Sequence, residues 1–150
     1  MTATLNPWPT TRQGSTDHPV QTLQYLLLAH GHTVTVDGVF GSETGDAVRA
    51  VQRAKNLPDN GVVDQATWRA LLVAVRPGMR GSAVRGLQEE FALNGADGIY
   101  GPKTEAAIRD LQASIRDGGV PVEVDGVVGP QTWQALVSGL REAAPLTKVA

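Results

Sequence analysis

The sequence predicts an all-α protein of two tandem three-helix bundles. Three observations predict it: a long unit that runs through the chain twice, a short turn template that recurs twice within each unit, and apolar residues at helical spacing after every copy of that template. Val20, Leu23 and Gln24 recur as Val84, Leu87 and Gln88, an offset of 64. Asp37, Gly38, Phe40, Gly41 and Thr44 recur as Asp97, Gly98, Tyr100, Gly101 and Thr104, an offset of 60. Thr67, Trp68 and Leu71 recur as Thr132, Trp133 and Leu136, an offset of 65. A fixed period of this length is the mark of a repeated supersecondary unit. The length changes fall in loops, one of them at Asp117 to Pro121, where extra residues cost little.

The short template appears as DGVFGSETGDA (37–47), NGVVDQATWRA (60–70), DGIYGPKTEAA (97–107) and DGVVGPQTWQA (125–135). Its chemistry is local. Asp or Asn bonds its own backbone two residues on, and the following Gly accepts a positive φ. Gly41, Asp64, Gly101 and Gly129 stand where an N-cap belongs, and Pro102 and Pro130 take the favoured first helical position. Beyond the cap, Ala47, Val48 and Val51, like Ala107, Ile108 and Leu111, recur at helical spacing. Each template is therefore a turn that launches a helix.

Adding the helix that leads each unit gives three per unit. Expected spans are 18–30, 42–55 and 65–75, then 82–94, 102–116 and 130–141. Asp17 and Ser82 are the expected caps of the leading helices, and Gly31 and Gly95 their expected stops. Arg76-Pro77 falls in register with Arg12-Gln13, so the second unit starts where the first ends. The expected division is an arm at 1–11, units at 12–76 and 77–142, and a tail at 143–150. With so short a junction at Val75 to Gly78 the units are expected to touch.

Composition narrows the function. Hydrophobic residues form 41% of the chain, enough for a packed core. A formal charge of −2 gives no footprint for nucleic acid or an anionic membrane. No apolar run reaches spanning length, and Met1 to Thr10 lacks the basic and apolar regions of a signal peptide. The absence of cysteine removes disulfides and thiolate metal sites.

The ordered pattern is G-x-x-[GD]-x-x-V-x-x-L-Q, then D-G-x-[FY]-G-x-x-T-x-x-A-[VI]-x-x-[VL]-Q, then [DN]-G-x-V-x-x-x-T-W-x-x-L. Present twice, it resembles the three-helix peptidoglycan-binding domains found beside bacterial wall amidases, carboxypeptidases and transpeptidases. The resemblance covers 12–76 and 77–142 and implies a helical module that docks on glycan and stem peptide without cleaving them. Asn60 and Asp64 depart from the usual Asp and Gly, which puts a less typical last turn in unit one. A similar bundle occurs in matrix metalloprotease propeptides, but their cysteine switch has no counterpart in a chain without cysteine.

No cofactor or metal is expected. His30 and His32 straddle a helix end and lack a defined third ligand, so they are read as solvated residues near a C-terminus. Neither a nucleophile elbow nor a phosphate-binding glycine loop is present. Glu89-Glu90 are neighbours pointing in different directions, read as exposed charge rather than a glycosidase pair. Trp68 and Trp133, three residues before Leu71 and Leu136, are read as core anchors. Gln24, Gln52, Gln88 and Gln112 are read as bonding turn backbone that would otherwise be buried unsatisfied.

The candidate wall-contact surface is the first Asp-Gly turn of each unit: Asp37, Gly38, Phe40 and Gly41, with Asp97, Gly98, Tyr100 and Gly101. The glycines admit a close ligand, and the following helix starts offer N–H groups and a positive dipole end to a carboxylate. Phe40 and Tyr100, expected nearer the surface, offer a face for a sugar or an alanine methyl. Arg49 and Arg109 are the expected outlying partners for a stem-peptide carboxylate. The function so read is non-catalytic binding of peptidoglycan at the cell wall, outside the cytoplasm, anchoring the protein, a wall-active enzyme or another partner. The alternative is a structural part of a phage-like or secretion assembly, which the missing signal peptide keeps open.

Overall fold

Helices in two sets of three account for the regular structure of the described residues: α1 (Pro19–Ala29), α2 (Ser42–Ala54) and α3 (Gln65–Leu71), then α4 (Ser82–Glu90), α5 (Pro102–Asp117) and α6 (Pro130–Ser138). The computed structural model describes residues 5–16, 18–90 and 96–138. Among these there is no strand, only three isolated antiparallel bridges. The all-α expectation and the two tandem units are what the structure shows.

Each helix follows from its sequence. Pro19 opens α1, and Val20, Leu23, Leu26 and Leu27 on one side of it are fully buried. Gly31, at φ +88°, stops it in the left-handed conformation that glycine adopts freely. Extended Gly41 and Gly101 precede α2 and α5, and each of these helices has an acid in its first turn and an arginine in its last, complementing the dipole. Asp64 caps α3 by accepting from Thr67 N at 3.2 Å. Asp17, Gly95, the ends of the fourth and sixth expected helices and the tail at 143–150 lie outside the described residues.

The third helix is shorter than its spacing predicts, ending at Leu71 rather than residue 75. Leu72 is extended (φ −64°, ψ 141°). Tertiary bonds decide this. Val73 O receives the Trp133 indole N–H at 2.8 Å, and Val75 exchanges backbone bonds of 3.2 and 2.7 Å with Val128. A helix through Val75 would withdraw all three groups.

The same arrangement recurs one repeat earlier, where the sequence shows only an arm. Thr11 exchanges bonds of 3.0 and 2.8 Å with Val63, and Pro9 O receives the Trp68 indole N–H at 2.8 Å. The arm is thus to unit one what 72–75 is to unit two. It also reaches unit two: Gln134 Nε2 donates to Asn6 O at 2.7 Å and Asn6 Nδ2 to Ser138 O at 3.3 Å.

The units share one hydrophobic core and meet where α1 and α4 cross antiparallel. Gly86 is required there, because a Cβ on it would lie 2.8 Å from Tyr25 Cβ. Glu90 corrects the expectation of an exposed acid pair. Glu89 is exposed, but Glu90 is buried against α1, bonded by the Thr22 hydroxyl and by His18. Successive helical residues point about 100° apart, so one member of such a pair can face a neighbour while the other faces water.

Candidate functional site: the Asp-Gly turns

One hydrogen-bonded device builds all four turns. In the first, Gln24 Nε2 donates to Asp37 Oδ1 (3.0 Å), Val39 O (3.0 Å) and Thr44 Oγ1 (3.1 Å). Its Oε1 accepts from Asp37 N (3.1 Å) and Gly38 N (3.0 Å), and Asp37 Oδ1 also accepts from Val39 N at 2.9 Å. Gln52 does the same for Asn60, Gly61, Val62 and Thr67. Gln88 serves Asp97, Gly98, Ile99 and Thr104. Gln112 serves Asp125, Gly126, Val127 and Thr132. A glutamine has one acceptor and two donor hydrogens, and here both ends are used, on each helix, to hold the start of the next. The glutamine role inferred from sequence is the one observed. Asn60 replaces Asp without altering the device, whereas Asp64 adds a side-chain cap that the glycines of the other copies lack, the one respect in which the last turn of unit one is less typical.

Asp37 and Asp97 are therefore structural acceptors. Their carboxyls lie below the ordinary value of 3.8, chiefly because the Val39 and Ile99 N–H groups bond the charged form, helped by the Gln24 and Gln88 amides and partly opposed by desolvation.

Phe40 and Tyr100 are not near the surface. They are 1% and 2% exposed, with Gly14 N donating to Phe40 O at 2.8 Å and Gly78 N to Tyr100 O at 3.0 Å. The turn points the aromatic inward and the residue before it outward, so Val39 (48%) and Ile99 (43%) carry the exposed apolar surface. As a stacking platform the two rings are unavailable. Tyr100 Oη donates to Gly126 O, and burial first, then the Glu105 charge, pushes its phenol up to about 12.

Arg49 and Arg109 sit over the second turn of their unit, not the first. The Arg49 guanidinium lies 3.1 Å from where a Cβ on Gly61 would be, and pairs with Asp46 at 3.5 Å. Arg109 forks across Val124 O (3.0 Å) and Asp125 O (3.3 Å) while its Nε bonds Glu105 at 2.9 Å. Unit one thus leaves its guanidinium the looser of the two.

The remaining sequence candidates resolve as packing. Trp68 and Trp133 are fully buried core anchors. His30 Nε2 lies 2.8 Å from Leu71 O, tying α1 to the end of α3. Among the described residues no group of three His, Cys, Asp or Glu could hold a metal ion. The sequence missed Trp8, which lies against Trp68 with centroids 6.1 Å apart. Only its place in the repeat register, 64 residues before Leu72, could have drawn attention to it.

Fold and site together define a tandem helical-repeat scaffold whose recurring polar residues are spent on turn architecture. Residues 16–71 and 80–136 each match the family described as "Putative peptidoglycan binding domain", and the chain belongs to that family. It is 28% identical to N-acetylmuramoyl-L-alanine amidase CwlL of Bacillus licheniformis over 87% of its own length and 46% of that protein. A second Bacillus licheniformis protein, named "Probable N-acetylmuramoyl-L-alanine amidase", is 27% identical over 87% of this chain and 45% of its own length. The chain spans less than half the length of these two relatives.

Proposed function

We propose that this protein binds bacterial cell-wall peptidoglycan without cleaving it and holds itself, or a partner, at the wall. The observation that carries the reading is the doubled family match, which places peptidoglycan-binding domains over most of the chain. The segment shared with the two amidases is under half of each, which supports reading it as their wall-targeting portion. No helix of the described residues is long and apolar enough to cross a membrane.

The contact surface in this reading is the outer edge of the first turn in each unit: Gly38 to Gly41 with exposed Val39, and Gly98 to Gly101 with exposed Ile99. Asp37 and Asp97 hold the backbone in place, and Phe40 and Tyr100 support it from within. The starts of α2 and α5 supply N–H groups for a carboxylate. Arg49 and Arg109, which lie over the second turn of their units, stand outside this surface.

Sedimentation of the purified chain with insoluble sacculi tests the reading. The parent pellets with sacculi and releases no soluble muropeptides or new reducing ends. The double variant Val39→Ser with Ile99→Ser stays folded, because both residues are exposed, and pellets less. Failure of the parent to pellet, or muropeptide release abolished by a point substitution in this chain, overturns it.

A further inference from the structure

The tryptophan of each unit's third helix is covered differently by the segment that precedes the unit. Over Trp68 lies Trp8, itself 8% exposed, with the ring planes 25° apart. The bridges and indole bonds fix the register of that segment: Pro9 corresponds to Val73 and Thr11 to Val75. Leu72 therefore stands where Trp8 stands. A leucine fills less space than an indole, and next to Trp133 there is a cavity of about 330 Å³. It is lined by Leu72 and Ala74 of the junction, Val128 and Pro130 of the last turn, Trp133, and Arg69 on α3. Ligand sites of this kind begin at ~300 Å³ and join apolar walls to a few polar groups.

Arg69 is exposed, and no carboxylate of the described residues lies within ion-pair distance of it. A guanidinium beside apolar walls selects a carboxylate, which its planar fork binds through two parallel bonds. We propose that this groove takes the C-terminal carboxylate end of a short peptide with small apolar side chains, one per chain. Arg69 holds the carboxylate, and Leu72, Ala74 and Pro130, the apolar lining residues that reach the surface, pack on the methyl groups. Arg69, Leu72 and Ala74 come from unit one and its junction, and Gly129 and Pro130 from unit two, so neither unit alone forms the site. The proposal rests on the wall-binding reading, whose stem peptides end in this chemistry.

The test is an NMR titration of the full chain with N-acetyl-D-alanyl-D-alanine and with its C-terminal amide, carried into the millimolar range. The free acid shifts the Ala74 and Gly129 amides, and the C-terminal amide binds about tenfold more weakly, as loss of one charge-assisted bond predicts. Arg69→Gln weakens the acid to the level of the amide. Leu72→Trp, which fills the groove as Trp8 does in unit one, removes the shifts while the spectrum stays that of a folded chain. No shift with the free acid, equal binding of acid and amide, or shifts confined to the Asp-Gly turns overturns the proposal. So do concentration-dependent shifts at Ala74 and Gly129 without peptide, which mark a second copy of the chain as occupant. Sacculus sedimentation separates the two readings. A parent that pellets but shows no peptide shift leaves wall binding standing and removes the groove, whereas peptide binding without pelleting keeps the groove and removes wall binding.

Discussion

At the scale of single residues, the turn device makes the acidic positions pH-sensitive. Asp37 and Asp97 titrate below their ordinary 3.8 in the folded protein, so their contribution is fully present above about that pH and is lost as pH falls through the lower folded value. Asn60 performs the same bonds without a charge. Replacing both acids by asparagine therefore leaves the urea midpoint at pH 7 close to the parent's and makes the loss of stability below about pH 4 shallower. A double variant as acid-sensitive as the parent would sink this account. Tyr100 gives the opposite limb. Its phenol is raised from 10.0 to about 12, so stability falls as pH rises across that interval, through ionisation of the unfolded chain. Tyr100→Phe removes the bond to Gly126 O and should cost about 1–3 kcal/mol by urea unfolding, the usual penalty for a buried polar group left unpaired. It should also abolish the alkaline decline.

The helix starts carry the argument at the scale of elements. Three of the four template helices begin after glycine, and α3 alone begins after an acid, whose side chain caps Thr67 N. Asp64→Ala should cost about 1 kcal/mol, within the ~0.5–2 kcal/mol range for lost caps, while Asp64→Gly, the residue of the other copies, should cost only a few tenths. An unchanged midpoint for Asp64→Ala would mean that the cap contributes nothing. Most of this level was legible in the sequence. The Asp-Gly template with its glutamine and threonine is local in character, and each contact spans a single helix-to-turn step. The end of α3 was not legible. Apolar spacing favours continuing past Leu71, and what stops the helix is a set of partners, Val128 and the Trp133 indole, more than fifty residues away.

The two units form one particle at the scale of the whole molecule, because α1 packs on α4 and the arm bonds α6. Gly86 tests that interface with a sign that local propensity gets wrong. Alanine is favoured over glycine within a helix by ~1 kcal/mol. Here the added methyl would meet Tyr25 Cβ at 2.8 Å, close to backbone that cannot swing aside. Gly86→Ala should therefore lower the thermal midpoint despite the better propensity, and a midpoint at or above the parent's would show the α1–α4 contact to be loose.

The sequence by itself determined the repeat, the six helices, the four turns and the residues that tie them, since each is encoded by spacing within one unit. Tertiary structure alone decided which way the turn residues face. Phe40 and Tyr100 are loop residues by position, and only the bundle beneath them provides the apolar space that draws them inward and leaves Val39 and Ile99 outside. It likewise decided that Glu90 is buried at the α1–α4 contact and that the arm completes unit one. The physical reason is common to all three. Burial is a property of where distant segments meet, and periodicity along one segment says which face is apolar but not what will cover it.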